Sequence, residues 1–267
     1  MAHSSEADDV SCLRYAAELQ AASLCAHTDY QPGQEVYDSY GPGLSPGDLL
    51  LDYGFVDPAN TNHRVEVEPS QLVAPKSARA RALLQALGGA GMSDKADAGG
   101  AAAAPSAPQL VRLVLSEEGP DQATLAWVRA ALSGDADLIR AGWRLKAGPK
   151  DSDLACRVMG TLAQPASCEQ ETAVLTTILT YVDTALASYP STLEHDQAEL
   201  AQLAGAAGSP GADAWLRMQV LRALVSEKLA LVGCAAVVDE WLQQLEGGCD
   251  VSELYDWSES DEGGEGE

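Results

Sequence analysis

The stretch Gln31–Phe55, QPGQEVYDSYGPGLSPGDLLLDYGF, organises the reading of this chain. Pro32-Gly33 is a turn pair, with proline presetting φ and glycine free to take a left-handed step. Glu35 to Tyr40 alternates, with Val36 on one face and Tyr37 on the other, and predicts a strand. Gly41 to Gly47 is a loop rich in glycine and proline. Ser45 is placed to cap a helix through its hydroxyl, and Pro46 suits the first helical position. Asp48, Leu49, Leu50 and Leu51 continue that short helix, and Gly54 ends it. Tyr40 therefore lies where strand meets loop, and Phe55 follows the helix stop.

Working outward, Met1 to about Pro69 reads as a compact mixed region. Ala22 to Thr28 suits one short strand, and His63 to Glu68 alternates with Val65 and Val67 on one side. Gln71 to Leu87 predicts a helix with Leu72, Ala80, Leu83, Leu84 and Leu87 as its apolar positions. Gly88 to Pro108 is a Gly/Ala-rich insert that reads as a flexible excursion. Leu110 to Leu115 is rich in strand formers. Asp121 to Leu245 is mostly helical, with helices expected at Gln122–Leu132, Cys168–Tyr189, Leu193–Leu203 and Gly211–Leu245. In the last, Trp215, Met218, Leu221, Leu224, Val225, Leu229 and Val232 recur at spacings of three and four. The fold class is α+β. Its expected parts are residues 1–69, a mainly helical 70–245 carrying the flexible insert 88–108, and an acidic tail, 246–267.

The formal net charge is −24, and eleven of the 40 acidic residues fall between Asp239 and Glu267. Nucleic-acid binding needs clustered cations, so neither a nucleic acid nor an anionic membrane is expected as partner. A basic protein segment fits better. The chain has no apolar run long enough for a membrane helix. Its first residues, MAHSSEADDVS, lack a secretory signal. The six cysteines have no CxxC spacing and the four histidines are scattered, so reduced thiols and no metal are expected.

Tyr40 is the first candidate for chemistry. A phenol is a weak base at neutral pH, with an unperturbed pKa of about 10. Its hydroxyl can nevertheless hold and orient an amine in a narrow pocket. It can equally be a half-buried strand tyrosine with a satisfied hydroxyl. Tyr37, on the opposite face, reads as packing. Phe55, the sole phenylalanine of the chain, could stack on a flat ring such as adenine or plug the end of the helix. Glu194 and Asp196 flank His195 at an exposed helix start, where acids favour the helix dipole, a structural role. The glycines of the insert lack the strand and the Lys-Ser/Thr of a phosphate loop.

Pro32-Gly33-Gln34-Glu35-Val36-Tyr37-Asp38-Ser39-Tyr40-Gly41 and Leu49-Leu50-Leu51-Asp52-Tyr53-Gly54-Phe55 together resemble the end of a SET domain. The subclass is that of the Rubisco large-subunit lysine methyltransferase, with Asn60 or Asn62 matching a nearby asparagine. Tyr189-Pro190-Ser191-Thr192-Leu193-Glu194-His195-Asp196, with Leu200, resembles the all-helical Rubisco-substrate-binding domain of the same family. Glu227-Lys228 with Leu229 and Leu231 resembles its terminal helix, although Leu224 replaces the family's arginine.

The resemblance implies a partial SET β region followed by a helical substrate-binding-type domain. It implies S-adenosylmethionine as cofactor and a protein presenting a lysine as partner. Tyr40 matches the catalytic tyrosine, and Phe55 matches the aromatic near the cofactor. Met1-Ala2-His3-Ser4 resembles the segment whose Asn-His pair contacts the cofactor, which makes His3 a cofactor-binding candidate with Ala2 in the asparagine's place. The Gly-x-Gly part of SET and the family's inserted helical region are not matched, so a fragment or truncated form is expected. The expected function is a protein-lysine N-methyltransferase, or alternatively a non-catalytic interaction module retaining the substrate-binding domain. The family name suggests the chloroplast, with cytoplasm or nucleus as alternatives.

Overall fold

The computed structural model describes residues 2–3, 13–16, 20–24, 26, 28–41, 43–88, 112–143, 152–205 and 211–255. The chain divides into two compact units, each discontinuous in sequence: Met1–Val65 with Tyr189–Leu231, and Glu66–Ser188 with Val232–Glu267.

The first unit combines short strands with helices. β1 (Ala2–His3) pairs in parallel with β4 (Tyr37–Asp38), placing His3 opposite Asp38. β2 (Leu13–Ala16) and β3 (Ala21–Leu24) form an antiparallel hairpin. α1 (Pro46–Tyr53) follows, and the unit also holds α8 (Leu193–Ala204) and the first part of α9 (Ala212–Glu246). Its buried apolar side chains include Leu49, Val56, Met218, Leu221 and Leu231. Each such side chain contributes about 1.5–3 kcal/mol relative to exposure.

The strand expected over Glu35–Tyr40 contracts to Tyr37–Asp38, the two residues that β1 pairs with, and local side chains take backbone donors at its start and beyond its end. Tyr37 N–H donates to the Tyr30 hydroxyl at 2.9 Å, and Gly41 N–H donates to Ser39 Oγ at 3.1 Å. Such bonds compete with a strand ladder.

In the second unit, β5 (Arg64–Val67), which begins at the boundary, lies in a three-stranded sheet of order β5-β6-β7. β6 (Leu113–Ser116) and β7 (Gly119–Pro120) are antiparallel, with Leu115 opposite Pro120. The helices are α2 (Pro69–Leu72), α3 (Ala78–Gly88), α4 (Gln122–Leu132), α5 (Asp135–Arg140), α6 (Ser152–Leu162), α7 (Cys168–Ser188) and the rest of α9. α4 packs against α3, α6 and α7. That central place explains why every residue of α4 from Thr124 to Ala131 is buried. Arg129 is among them, and its charge is met by Glu171 of α7 through a fork of bonds at 2.9 and 2.6 Å. Gly233 of α9 admits the turn after β6, since a Cβ there would lie 2.6 Å from Glu117 Cα.

The single helix expected over Gln71–Leu87 is two helices. Pro75 lacks an N–H and pushes the preceding backbone out of the helical region, and Val73 is already extended at φ −157°. Lys76 N–H instead donates to Ala131 O at 2.8 Å. α5 and α6 were not expected. α5 has six residues, too few to show a period, and the buried face of α6 is only Ala155, Val158 and Leu162. Residues 89–111, which carry most of the insert and the first residues of the expected strand, lie outside the described residues, as do 256–267. Val251–Glu253, in the expected tail, form a 3-10 helix with Val251 and Leu254 buried.

Candidate functional site

The site is built on α1. Ser45 Oγ accepts Asp48 N–H at 3.1 Å, and the Asp48 carboxylate accepts Ser45 N–H at 2.8 Å. This reciprocal box fixes the start of the helix. Burial alone would raise the Asp48 carboxyl. The Ser45 hydrogen bonds and the Arg64 guanidinium, 3.2 Å away, outweigh it and hold the carboxyl below its usual range. At the other end Gly54 takes φ 79°, and its N–H closes on Leu50 O at 3.0 Å. That left-handed step turns the chain directly before Phe55.

The turn brings three aromatics together. The Tyr40 ring lies 4.5 Å from the Tyr53 ring at a tilt of 45° and 6.1 Å from the Phe55 ring, edge-on at 79°. Both separations fall within the range of favourable aromatic pairs. Tyr53 is 48% exposed, while Tyr40 and Phe55 are half-buried, so the group forms a rim open to solvent.

Buried polar side chains stand behind the rim. Asn60 Nδ2 donates to Leu44 O at 2.8 Å, in the loop after Tyr40, and Asn60 Oδ1 accepts Asn62 N–H at 2.8 Å. Gln219 of α9 accepts Val56 N–H at 2.7 Å, one residue past Phe55. His63 Nδ1 and Ser226 Oγ lie 2.9 Å apart.

A second polar cluster joins α8 to α9. Lys228 Nζ donates to Ser191 O at 2.8 Å and to the Asp196 carboxylate, and sits 4.9 Å from the Tyr189 ring centre. The Tyr189 hydroxyl donates to Glu227 at 2.8 Å. Asp196 is therefore not an exposed first-turn acid. It is fully buried. Burial would raise its carboxyl, but Lys228 and Ser191 outweigh that and hold it low. His195 remains exposed, as expected.

Of the residues singled out in the sequence, Tyr40 and Phe55 meet. His3 lies in β1 opposite Asp38, beside the segment leading to Tyr40. Tyr53 and Asn60 were matched to the family motif without a site role, with Asn62 as the alternative to Asn60, and Gln219 was not singled out. The Tyr-Gly-Phe stretch held the signal for Tyr53. No sequence period marks a long-range side-chain-to-backbone bond such as that of Gln219. Among the described residues no cluster of three or more His, Cys, Asp or Glu side chains could hold a metal, and no helix is long and apolar enough to cross a membrane.

A family model described as Rubisco LSMT substrate-binding matches residues 83–231. The chain belongs to this family. The match includes both members of the Lys228–Asp196 pair as well as Gln219. The fold is also that of solved LSMT-type SET proteins. One structure of the SET domain of LSMT bound to MeLysine and AdoHcy has a TM-score of 0.54 at 18% identity, covering 85% of this chain and 45% of that one. A structure of Rubisco LSMT bound to AdoMet has a TM-score of 0.53 at 21% identity, covering 92% of this chain and 50% of that one. The chain thus spans about half the length of the solved family relatives it matches. No curated protein matches it.

Proposed function

We propose that this chain is an S-adenosylmethionine-dependent protein-lysine N-methyltransferase, acting through the wall formed by Tyr40, Tyr53 and Phe55. The observation that carries the reading is the contact of the Tyr40 ring with both Tyr53 and Phe55 at a solvent-open rim. The arrangement fits the cofactor chemically. Half-buried Phe55 and exposed Tyr53 offer flat faces to an adenine ring. Between Arg14 and Arg64 the sequence has seven carboxylates, of which Asp48 is met by Arg64, and the remaining negative charge suits a sulfonium cation and a lysine side chain.

When bound, S-adenosylmethionine supplies an electrophilic methyl group. Tyr40 holds the substrate amine through its hydroxyl oxygen, with the nitrogen lone pair free. Its placement matters more than its acidity, because the step needs an aligned, deprotonated amine. By family resemblance, His3 would be one of the residues that hold the cofactor. The compartment we propose is the chloroplast.

Methyl transfer from labelled cofactor to a lysine-bearing protein, lost on Tyr40→Phe, tests this reading. A folded chain that transfers no label would remove it.

A second reading is favoured by where the family match falls, on 83–231 rather than on Tyr40. In it the chain is a non-catalytic module that binds a basic protein partner. That reading requires saturable binding that survives Tyr40→Phe, and binding lost with that substitution alone would exclude it.

A further inference from the structure

Phe55 stands just beyond the reach of its own helix. The ladder of α1 closes with Gly54 N–H on Leu50 O, and Gly54 then turns the chain at φ 79°. Two residues further on, Val56 N–H donates to Gln219 Oε1 at 2.7 Å, across 163 residues of sequence. Both ends of this bond are buried, with Gln219 2% and Val56 5% exposed. A buried N–H must be met, so the loop carrying Phe55 is held where the Gln219 side chain reaches. On the Tyr40 side, Asn60 Nδ2 pins Leu44 O at 2.8 Å. Each half of the aromatic pair therefore has its own buried amide behind it, and the one behind Phe55 comes from α9.

We infer that Gln219 is a positioning residue that sets Phe55 against Tyr40. The inference deepens the methyltransferase reading and rests on it, since Phe55 matters there as the cofactor-facing wall. It also gives this part of the substrate-binding family region a second role, because α9 serves the reacting site through one amide. The length of the side chain is part of the device. Asparagine would withdraw the acceptor by roughly 1.5 Å, one carbon–carbon bond. Leucine would remove it, and glutamate would keep it.

Phe55 is the only phenylalanine in the chain. Incorporating 4-fluorophenylalanine therefore yields a single fluorine NMR resonance, which reports on this wall whether or not the chain is active. Gln219→Leu moves or broadens that resonance by more than its linewidth with far-UV circular dichroism unchanged, and Gln219→Glu leaves it near the wild-type position. In a transfer assay Gln219→Leu lowers the rate by about 100-fold, the cost of roughly ångström-scale misplacement, and Gln219→Glu restores most of it. A folded Gln219→Leu chain with an unmoved resonance overturns the inference. If that variant does not fold, Gln219→Asn decides: a moved resonance supports the role and an unmoved one overturns it. Absence of transfer in the wild type, with the resonance responding to Gln219 as described, sinks the methyltransferase reading and leaves the positioning role standing. Tyr40→Leu provides the internal standard, because loss of the adjacent ring must also move the signal.

Discussion

Lys228 of α9 and Asp196 of α8 form a buried ion pair within the first unit. The two residues come from the two separate stretches, Tyr189–Asp196 and Glu227–Leu231, that carry the resemblance to the substrate-binding domain. They therefore act as one structural unit, completed by Ser191 and Tyr189.

Removing one partner leaves the other charged and buried. Lys228→Met or Asp196→Asn is expected to cost about 3–5 kcal/mol in urea unfolding at pH 7. Replacing both partners with apolar residues should cost less than either single change. The pH dependence has a definite sign. The folded Asp196 carboxyl is held below its ordinary value, so the unfolded chain takes up a proton first as pH falls. The pair's contribution is complete above the unfolded value of about 4 and fades below it. The Asp196→Asn chain should therefore lose less stability than wild type between neutral pH and pH 3. Equal acid sensitivity in the two chains would refute this account of the pair.

Ser45→Ala removes the hydroxyl that caps α1 and should cost about 1 kcal/mol. Asp48→Asn strikes the same box and also weakens the bond from Arg64. It should cost more than Ser45→Ala, and its excess should shrink at high salt because the Arg64 pair is partly exposed. Thermal unfolding at low and high ionic strength checks the ordering.

In the second unit, the Tyr255 hydroxyl donates to the Glu171 carboxylate that Arg129 also holds. Tyr255→Phe should cost about 1.5–3 kcal/mol, the range for hydrogen bonds to charged groups. Burial first, and then the neighbouring Glu171, raise the Tyr255 phenol against the opposing pull of Arg129. The stability this contributes is complete below the unfolded value of about 10 and is lost as pH rises beyond it, because the unfolded phenol ionises first. Unfolding at pH 9 and pH 11 should show a smaller alkaline loss in Tyr255→Phe than in wild type.

Gly233→Ala would set a methyl group against the Glu117 backbone at 2.6 Å. Backbone cannot yield as a flexible side chain can, so overpacking of about 1–3 kcal/mol is expected. A melting temperature equal to wild type would show that the turn after β6 moves freely.

The sequence made α1 legible in detail, because caps and stops are local: Ser45, Pro46, Asp48 and Gly54 all act within one short helix. The long apolar periods likewise marked α4, α7, α8 and α9. The break at Pro75 was legible in principle, but the apolar spacing on either side of it masked it. The contraction of β4 was not, because its extent follows its pairing with the two residues of β1, far away in sequence. Within the site, Tyr40 and Phe55 were found through a motif. Asp196 was misread as an exposed acid because its partner lies 32 residues away on another helix. Gln219 was hidden for the same reason, since a single buried amide has no pattern in one dimension.

The central claim is that the Tyr40 wall serves methyl transfer. It is tested most directly by incubating the full chain with S-adenosylmethionine labelled in its methyl group and a lysine-bearing acceptor protein. The account predicts label on a lysine side chain, with Tyr40→Phe lowering the rate on the order of 100-fold while the protein remains folded. Label transferred equally well by Tyr40→Phe, or none transferred by the folded wild-type chain, would contradict it.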